Sequence, residues 1–238
     1  HNGVLDSFGH VSIRDPRDPN RYLQMQAIAP RDVSVGDLIT FDLDSNAINA
    51  RHRPTYRERF IHGQIYKLRP DVNAVVHSHS PTVIPFSVTE KPLRAIFHNG
   101  HFLGQSTPVW EIRAAAGEQN NMLVLSNELG RSLAEKLGKG SVVLMRGHGN
   151  AVAGPDLKTT VFRAIYTEVN AKLDALKKIT RLDADLQRIE DCRKAGLAYS
   201  DGMESFLINW KAREDIGARR GVAGARGAGI VLCANTGA

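Results

Sequence analysis

Cysteine and long apolar runs are both scarce in this sequence, and each shortage excludes a class of protein. The chain has only 2 cysteines, Cys192 and Cys233, too few for a disulfide framework, so reduced thiols and a cytoplasmic protein are expected. No segment approaches the roughly 20 consecutive apolar residues that a membrane-spanning helix requires. The first residues lack a charged segment followed by an apolar one, so no secretory signal is predicted.

Positive charge is in modest excess and is concentrated at one end of the chain. Lysine and arginine outnumber aspartate and glutamate by 31 to 25, which gives a net charge of +6. The segment from Lys211 onward has five basic and two acidic residues, and so supplies +3, half of the total. No basic stripe is interleaved with aromatic residues, so a nucleic-acid partner is not predicted.

Short apolar segments separated by turn residues predict a mixture of strands and helices. This mixture favours one α/β or α+β domain over residues 1–210, and the aperiodic Gly/Ala/Arg-rich residues 211–238 are predicted to be disordered. Strands are expected at 10–14, 22–28, 38–43, 74–77, 93–98, 109–110, 122–125 and 141–145, and helices at 57–68, 126–138 and 156–179.

The sharpest chemical signal is a pair of histidines at the end of a predicted strand. In Val75-Val76-His77-Ser78-His79 the two histidines alternate along the strand, so both imidazoles lie on one face. Imidazole nitrogen is a preferred ligand of zinc and similar ions. The alternative is two unrelated histidines, since the motif is short.

A third histidine, His148, follows another predicted strand and is flanked by Gly147 and Gly149, which permit a close backbone approach. Three histidine ligands would leave coordination positions open for water or substrate, as a catalytic metal site requires. The alternative is an ordinary turn histidine between two glycines.

Glu58 is the candidate acid/base residue. The helical pattern places it four residues before His62, so the two side chains would share one helix face near the metal ligands. The competing interpretation is that Arg57-Glu58-Arg59 is a solvated charge cluster.

In this order, the motifs resemble the class II aldolase/adducin family from about Gly3 to Leu176. The resemblance rests on four segments, Gly9–Arg14, Glu58–His62, Tyr66–His79 and Arg146–Gly149. It implies a single-domain α/β/α sandwich around a mainly antiparallel sheet, with a first helix lying before His1. It also implies one zinc or manganese ion per subunit, held by His77, His79 and His148. Glu58 would be the acid/base residue or a further ligand. Homotetramers with active sites between subunits are the implied assembly.

Two departures from the sugar-phosphate aldolases of the family change the expected substrate. Those enzymes have Gly-Asn where this chain has Gly9-His10, and a serine pair where it has Tyr56-Arg57. Arg57 could bind a carboxylate or a phosphate, and Tyr56 adds an aromatic wall. The pattern resembles the branch of the family that decarboxylates hydroxylated aromatic or pyridine dicarboxylates.

The sequence therefore predicts a metal-dependent carbon–carbon lyase acting on a small carboxylate. The favoured reaction is decarboxylation beside a ring hydroxyl through a metal-stabilised enolate, with His10, Ser12, Tyr56 and Arg57 binding the substrate. The proton would come from Glu58, or from His10 or His101, although His98 and His101 are also typical loop histidines. An aldolase or epimerase of sugar phosphates or hydroxy acids is the first alternative. A non-catalytic, adducin-like interaction module is the second.

Overall fold

The computed structural model of the protein describes residues 2–180, with side chains as far as Leu176. The predicted tail, 211–238, and the last part of the predicted catalytic domain lie outside the described residues. The strands are β1 His10–Arg14, β2 Arg21–Met25, β3 Leu38–Asp42, β4 Ala74–Ser78, β5 Val109–Trp110, β6 Val142–Met145 and β7 Gly149–Gly154. The helices are α1 Phe60–Leu68, α2 Ile84–Val88, α3 Arg113–Ala116, α4 Asn127–Leu137 and α5 Leu157–Thr180, and 3-10 turns occur at Pro30–Asp32, Val35–Asp37 and His98–Leu103.

The seven strands form one sheet in the order β3-β2-β1-β4-β7-β6-β5. Every neighbouring pair is antiparallel except β5 and β6, which run parallel. The prediction of a mainly antiparallel sheet is therefore confirmed. Strands β4 and β7 lie next to each other at the centre, and β1 borders β4 with His10 opposite His77.

Helices cover both faces of the sheet, so its central strands are buried on both sides. One hydrophobic core, which includes Ile61, Ile65 and Leu133, packs α1 and α4 against the first face. The other includes Val76 and Ala171 and packs α5 against the second face. This is the α/β/α sandwich that the family resemblance implies. No helix in the described part of the chain combines the length and apolar character needed to cross a membrane.

Two predicted strands are wrong because side chains occupy the backbone groups that a sheet would use. In segment 122–125 the N–H groups of Leu123 and Val124 donate to side-chain oxygens of Asn121 and Glu58. In segment 93–98 the N–H of Ile96 donates to the side chain of Asn170 from α5. Neither apolar segment therefore forms a strand.

Strand β7 was not predicted from the sequence. Its residues, Gly-Asn-Ala-Val-Ala-Gly, lack the β-branched and aromatic side chains typical of strands. All six are buried because the strand lies between β4 and β6. Position in the sheet, rather than residue propensity, accounts for this strand.

The ends of the helices bear directly on the site. Helix α4 has the predicted caps, with the Ser126 hydroxyl accepting from the N–H of Leu129 and with Gly138 in a left-handed conformation. Helix α1 begins at Phe60, three residues later than predicted. Glu58 therefore lies in the turn before α1, and the predicted pairing of Glu58 with His62 on one helix face is wrong.

Candidate metal centre

The structure brings His77, His79, His148 and Glu58 together at one point. The Nε2 atom of His79 lies 3.1 Å from that of His77 and 3.2 Å from that of His148. Glu58 Oε2 lies 3.4 Å from Nε2 of His148 and 3.7 Å from Nε2 of His77. One ligand atom from each of the four residues fits within 4.8 Å of the others.

The histidines are oriented by oxygen atoms at their outer nitrogens. In each ring Nδ1 faces an acceptor, so Nδ1 carries the proton and the lone pair of Nε2 points toward the common centre. The pairs are His77 with the Asn150 carbonyl at 3.1 Å, His79 with the Asp6 carboxylate at 3.2 Å, and His148 with the Met122 carbonyl at 2.8 Å.

This donor set fits a divalent cation. Nitrogens bound at about 2.1 Å to one ion, at tetrahedral or octahedral angles, lie roughly 3.0 to 3.4 Å apart. The two Nε2 separations of 3.1 and 3.2 Å fall in that range. Without a cation, the converging lone pairs would repel one another, and three nitrogens with one carboxylate are suitable ligands for zinc or manganese.

Close packing of the sheet positions the third histidine. His148 lies in the turn between β6 and β7, and Gly149 follows it directly. A Cβ atom at Gly149 would overlap the carbonyl oxygen of Ser78 in β4. The absence of a side chain there lets β7 approach β4, which carries His77, so that the three imidazoles meet.

Glu58 is held in place as a carboxylate. Its side chain is buried, and Oε1 accepts a hydrogen bond of 2.9 Å from the N–H of Val124. Burial alone would raise the pKa of Glu58, but His148, His77 and the Val124 N–H together lower it to about 2. Burial alone would lower the pKa of His148, but the hydrogen bond and negative charge of Glu58, together with the Met122 carbonyl, raise it.

A buried polar network adjoins the histidine cluster. His10 Nδ1 lies 2.6 Å from Nε2 of His62, and His62 Nδ1 lies 2.6 Å from the hydroxyl of Ser12. That hydroxyl is 2.8 Å from the hydroxyl of Tyr66, and the Gln24 side-chain nitrogen is 3.1 Å from His10 Nδ1. Burial and mutual electrostatic repulsion lower the pKa of His10 well below its ordinary value.

The network connects to the metal centre through His10. The ring of His10 lies 5.0 Å from that of His77 and 4.5 Å from that of Tyr56. Tyr56 is buried, and its hydroxyl donates to the carbonyl of Ile28, so the ring contributes an aromatic wall. Ser12 is buried behind His10 and is bonded to His62 rather than exposed to a ligand.

The remaining predicted residues lie nearer the surface. Arg57 is exposed in the turn next to Glu58. His98 and His101 are exposed in a 3-10 turn that packs against α5, and the hydrogen bond of His101 Nδ1 is made to the carbonyl of His98. They are not part of the four-residue cluster.

Sequence reasoning missed four supporting residues, which are Asp6, Gln24, Met122 and Asn150. Asn150 orients His77 through its backbone carbonyl. Asp6 precedes the first strand in an irregular segment, and Gln24 lies within a strand where nothing marks it as functional. Met122 contributes only its backbone carbonyl. Its one unusual property is a left-handed backbone with φ of 64°, which becomes visible only in three dimensions.

Comparison with known proteins gives a consistent assignment. A family model described as "Class II Aldolase and Adducin N-terminal domain" matches residues 1–175. The chain is 37% identical over 185 residues to the decarboxylase tropJ of Talaromyces stipitatus, covering 73% of this chain and 70% of that protein. It is 28% identical over 225 residues to the 3,4-dihydroxyphthalate decarboxylase of Arthrobacter keyseri, covering 89% of this chain and 86% of that protein.

Solved structures support the same fold. The L-fuculose 1-phosphate aldolase from Glaciozyma antarctica PI12 superposes with a TM-score of 0.60. The match covers 91% of this chain and 84% of that one, at 20% sequence identity. At this level of identity the likeness shows a shared fold and carries no information about the substrate.

Proposed function

This chain belongs to the class II aldolase and adducin N-terminal domain family and is an enzyme of the lyase type, and we propose that it decarboxylates an ortho-hydroxy aromatic or pyridine carboxylate. The observation that carries the proposal is the cluster of three inward-facing histidines with the Glu58 carboxylate beside it. The resemblance to two decarboxylases favours this reaction over aldol cleavage.

His77, His79 and His148 would hold one zinc or manganese ion. When bound, the ion would act as a Lewis acid that stabilises negative charge on an oxygen next to the carbon–carbon bond to be broken. The three rings are preoriented by their Nδ1 partners, so that each presents Nε2 toward the ion.

Glu58 would move the proton. Its carboxylate, ionised at neutral pH, takes the proton of the ring hydroxyl and delivers it to the ring carbon that bears the carboxylate. The bond from that carbon to the carboxylate then breaks, and CO2 leaves. The electron pair of that bond returns through the ring to the hydroxyl oxygen and restores aromaticity, so no oxidant or reductant is required.

The substrate would lie between His10, Tyr56 and Arg57. The Tyr56 ring can stack on a planar aromatic acid, since its hydroxyl is already bonded to Ile28. Arg57 can pair with a second carboxylate of the substrate. We assign Ser12 an indirect role, because its hydroxyl contacts His62 and Tyr66.

The deciding experiment compares metal-loaded wild type with Glu58→Gln on 3,4-dihydroxyphthalate, on a hydroxypyridine dicarboxylate and on L-fuculose 1-phosphate. We expect CO2 release from one of the two aromatic acids, and a loss of about 10² to 10⁴-fold in Glu58→Gln with metal content retained. Aldehyde release from the sugar phosphate without any decarboxylation would replace this proposal with an aldolase. No turnover and no affinity for zinc or manganese would favour the interaction module.

Fourfold assembly with sites between subunits and a cytoplasmic location stay predictions. Sedimentation or light scattering of the full chain tests the first, and fractionation of cells that express it tests the second.

A further inference from the structure

A continuous chain of hydrogen bonds runs from the interior of the protein to His10. Its members, Tyr66, Ser12, His62 and His10, are each at most 2% exposed. The successive atoms are 2.8, 2.6 and 2.6 Å apart. No Asp, Glu, Lys or Arg side chain takes part in these contacts, and burial lowers the pKa of both histidines, so the chain is one of neutral donors and acceptors whose direction must be consistent from end to end.

The direction is set at both ends. At one end, the Tyr66 hydroxyl donates to no acceptor other than Ser12 among the described residues, so its proton points toward Ser12. The Ser12 proton is then directed to Nδ1 of His62. His62 consequently carries its own proton on Nε2 and donates it to Nδ1 of His10.

Gln24 supports this direction from the other side of His10. Its side-chain nitrogen lies 3.1 Å from His10 Nδ1, where it can share, as the weaker second donor, the one lone pair that accepts from His62, and its oxygen is buried without a hydrogen-bond partner. Exchanging the two ends of the amide would place two N–H donors where the oxygen now lies. Buried unpaired N–H groups are rarer and less tolerable than an under-satisfied carbonyl, so the observed orientation is preferred.

We propose that His62, backed by Ser12 and Tyr66, positions His10 as the tautomer with its proton on Nε2, which makes His10 an N–H donor to a substrate oxygen beside the metal centre. The identity of that substrate rests on the proposed function, but the tautomer does not. His10 lies opposite His77 across the β1–β4 pair, with the two rings 5.0 Å apart. A donor there can bind the carboxylate or ring oxygen of an aromatic acid, and a lone pair at the same place would repel it.

The direct test is solid-state 15N NMR of zinc-loaded, full-length protein labelled at histidine. The His10 signals are assigned by their loss in His10→Asn. We expect the protonated nitrogen of His10 to be Nε2 and that of His62 also to be Nε2. A proton on Nδ1 of His10 would overturn the proposal, whatever substrate the enzyme proves to use.

Variants at His62 separate positioning from packing. The amide nitrogen of His62→Gln reaches the place of Nε2 and can still donate to His10, whereas His62→Leu is similarly buried but donates nothing. We expect His62→Gln to keep the Nε2 tautomer of His10 and His62→Leu to lose it, with zinc affinity unchanged in both. Equal tautomer populations in the two variants would contradict the proposal.

Kinetics provide a second readout. With 3,4-dihydroxyphthalate as the probe, we expect His62→Leu to lose roughly tenfold or more in kcat/KM, because a hydrogen bond to a charged group is lost, and His62→Gln to recover most of it. The same loss in both variants, with matched unfolding midpoints, would argue against positioning. If this probe is not turned over by wild type, the proposed function fails on this substrate while the NMR result still decides the tautomer.

Discussion

The carbonyl oxygen of Met122 accepts a hydrogen bond of 2.8 Å from Nδ1 of His148, and Met122 adopts a left-handed backbone conformation to do so. A left-handed conformation in a residue other than glycine costs roughly 1 to 2 kcal/mol. The surrounding fold must supply that energy. Strain at this point therefore serves to orient His148, the proposed metal ligand, rather than to close an ordinary turn.

Met122→Val is expected to weaken metal binding more than Met122→Asn. Valine, being β-branched, disfavours the left-handed region, whereas asparagine of similar size tolerates it. The carbonyl should move away from His148 in the valine variant alone, with a loss of affinity of about tenfold or more. Competition with a chelator measures this, and equal affinities in the two variants would show that the backbone conformation of Met122 is irrelevant to the ion.

Asp6 is expected to set the affinity through His79. Its carboxylate accepts from Nδ1 of His79 and from the N–H groups of Phe8 and Gly9. Asp6→Asn keeps an oxygen for the backbone N–H groups but removes the charge, whereas Asp6→Ala removes both. We predict weaker zinc binding in both, by roughly 10 to 100-fold in the alanine variant.

The graded series distinguishes electrostatics from loop structure. A large loss already present in Asp6→Asn assigns the effect to the charge behind His79. A loss confined to Asp6→Ala assigns it to the backbone turn. Wild-type affinity in the alanine variant would contradict any role of Asp6 at the site.

The first turn of α5 provides a test of pH dependence away from the metal. Asp156 accepts from the N–H and the hydroxyl of Thr159, and these bonds lower its pKa below 3.8. A carboxylate with a lowered pKa stabilises the folded state above its unfolded pKa, and this contribution disappears as the pH falls through the folded value. Asp156→Asn keeps the cap without the charge.

We therefore expect wild type to be more stable than Asp156→Asn at pH 7, with the difference shrinking as the pH falls below about 3.8. Urea unfolding at low salt over this range measures the difference. A constant difference across the range would show that the charge of Asp156 does not contribute.

The sequence was informative where chemistry and periodicity coincide. His77 and His79 could be predicted to face the same side because side chains alternate along a strand, although β4 ends at Ser78 and His79 directly follows it, and α4 could be bounded by its Ser126 and Gly138 caps. Strand β7 could not be found, because glycine and alanine are stable there only through burial between two neighbours. Glu58 was predicted as a site residue and does lie beside the three histidines, but it was placed on the wrong element.

The supporting contacts were harder to predict for a different reason. The partners of His77 and His148 are backbone carbonyls. Every residue has a backbone carbonyl, so only the folded positions decide which one accepts. The link between His10 and His62 joins residues 52 positions apart, which come together because β1 pairs with β4 and α1 packs against the sheet at β4.

The separation of the ligands along the chain has a further consequence. His79 and His148 are 69 positions apart, yet their Nε2 atoms lie 3.2 Å apart, since His79 follows the end of β4 and His148 lies in the turn that joins β6 to β7. An ion held there would cross-link two distant segments of the chain, and a cross-link that spans a long loop restricts the unfolded ensemble more than the folded one. Depletion of the ion would then lower the melting temperature and speed proteolysis together with the loss of catalysis.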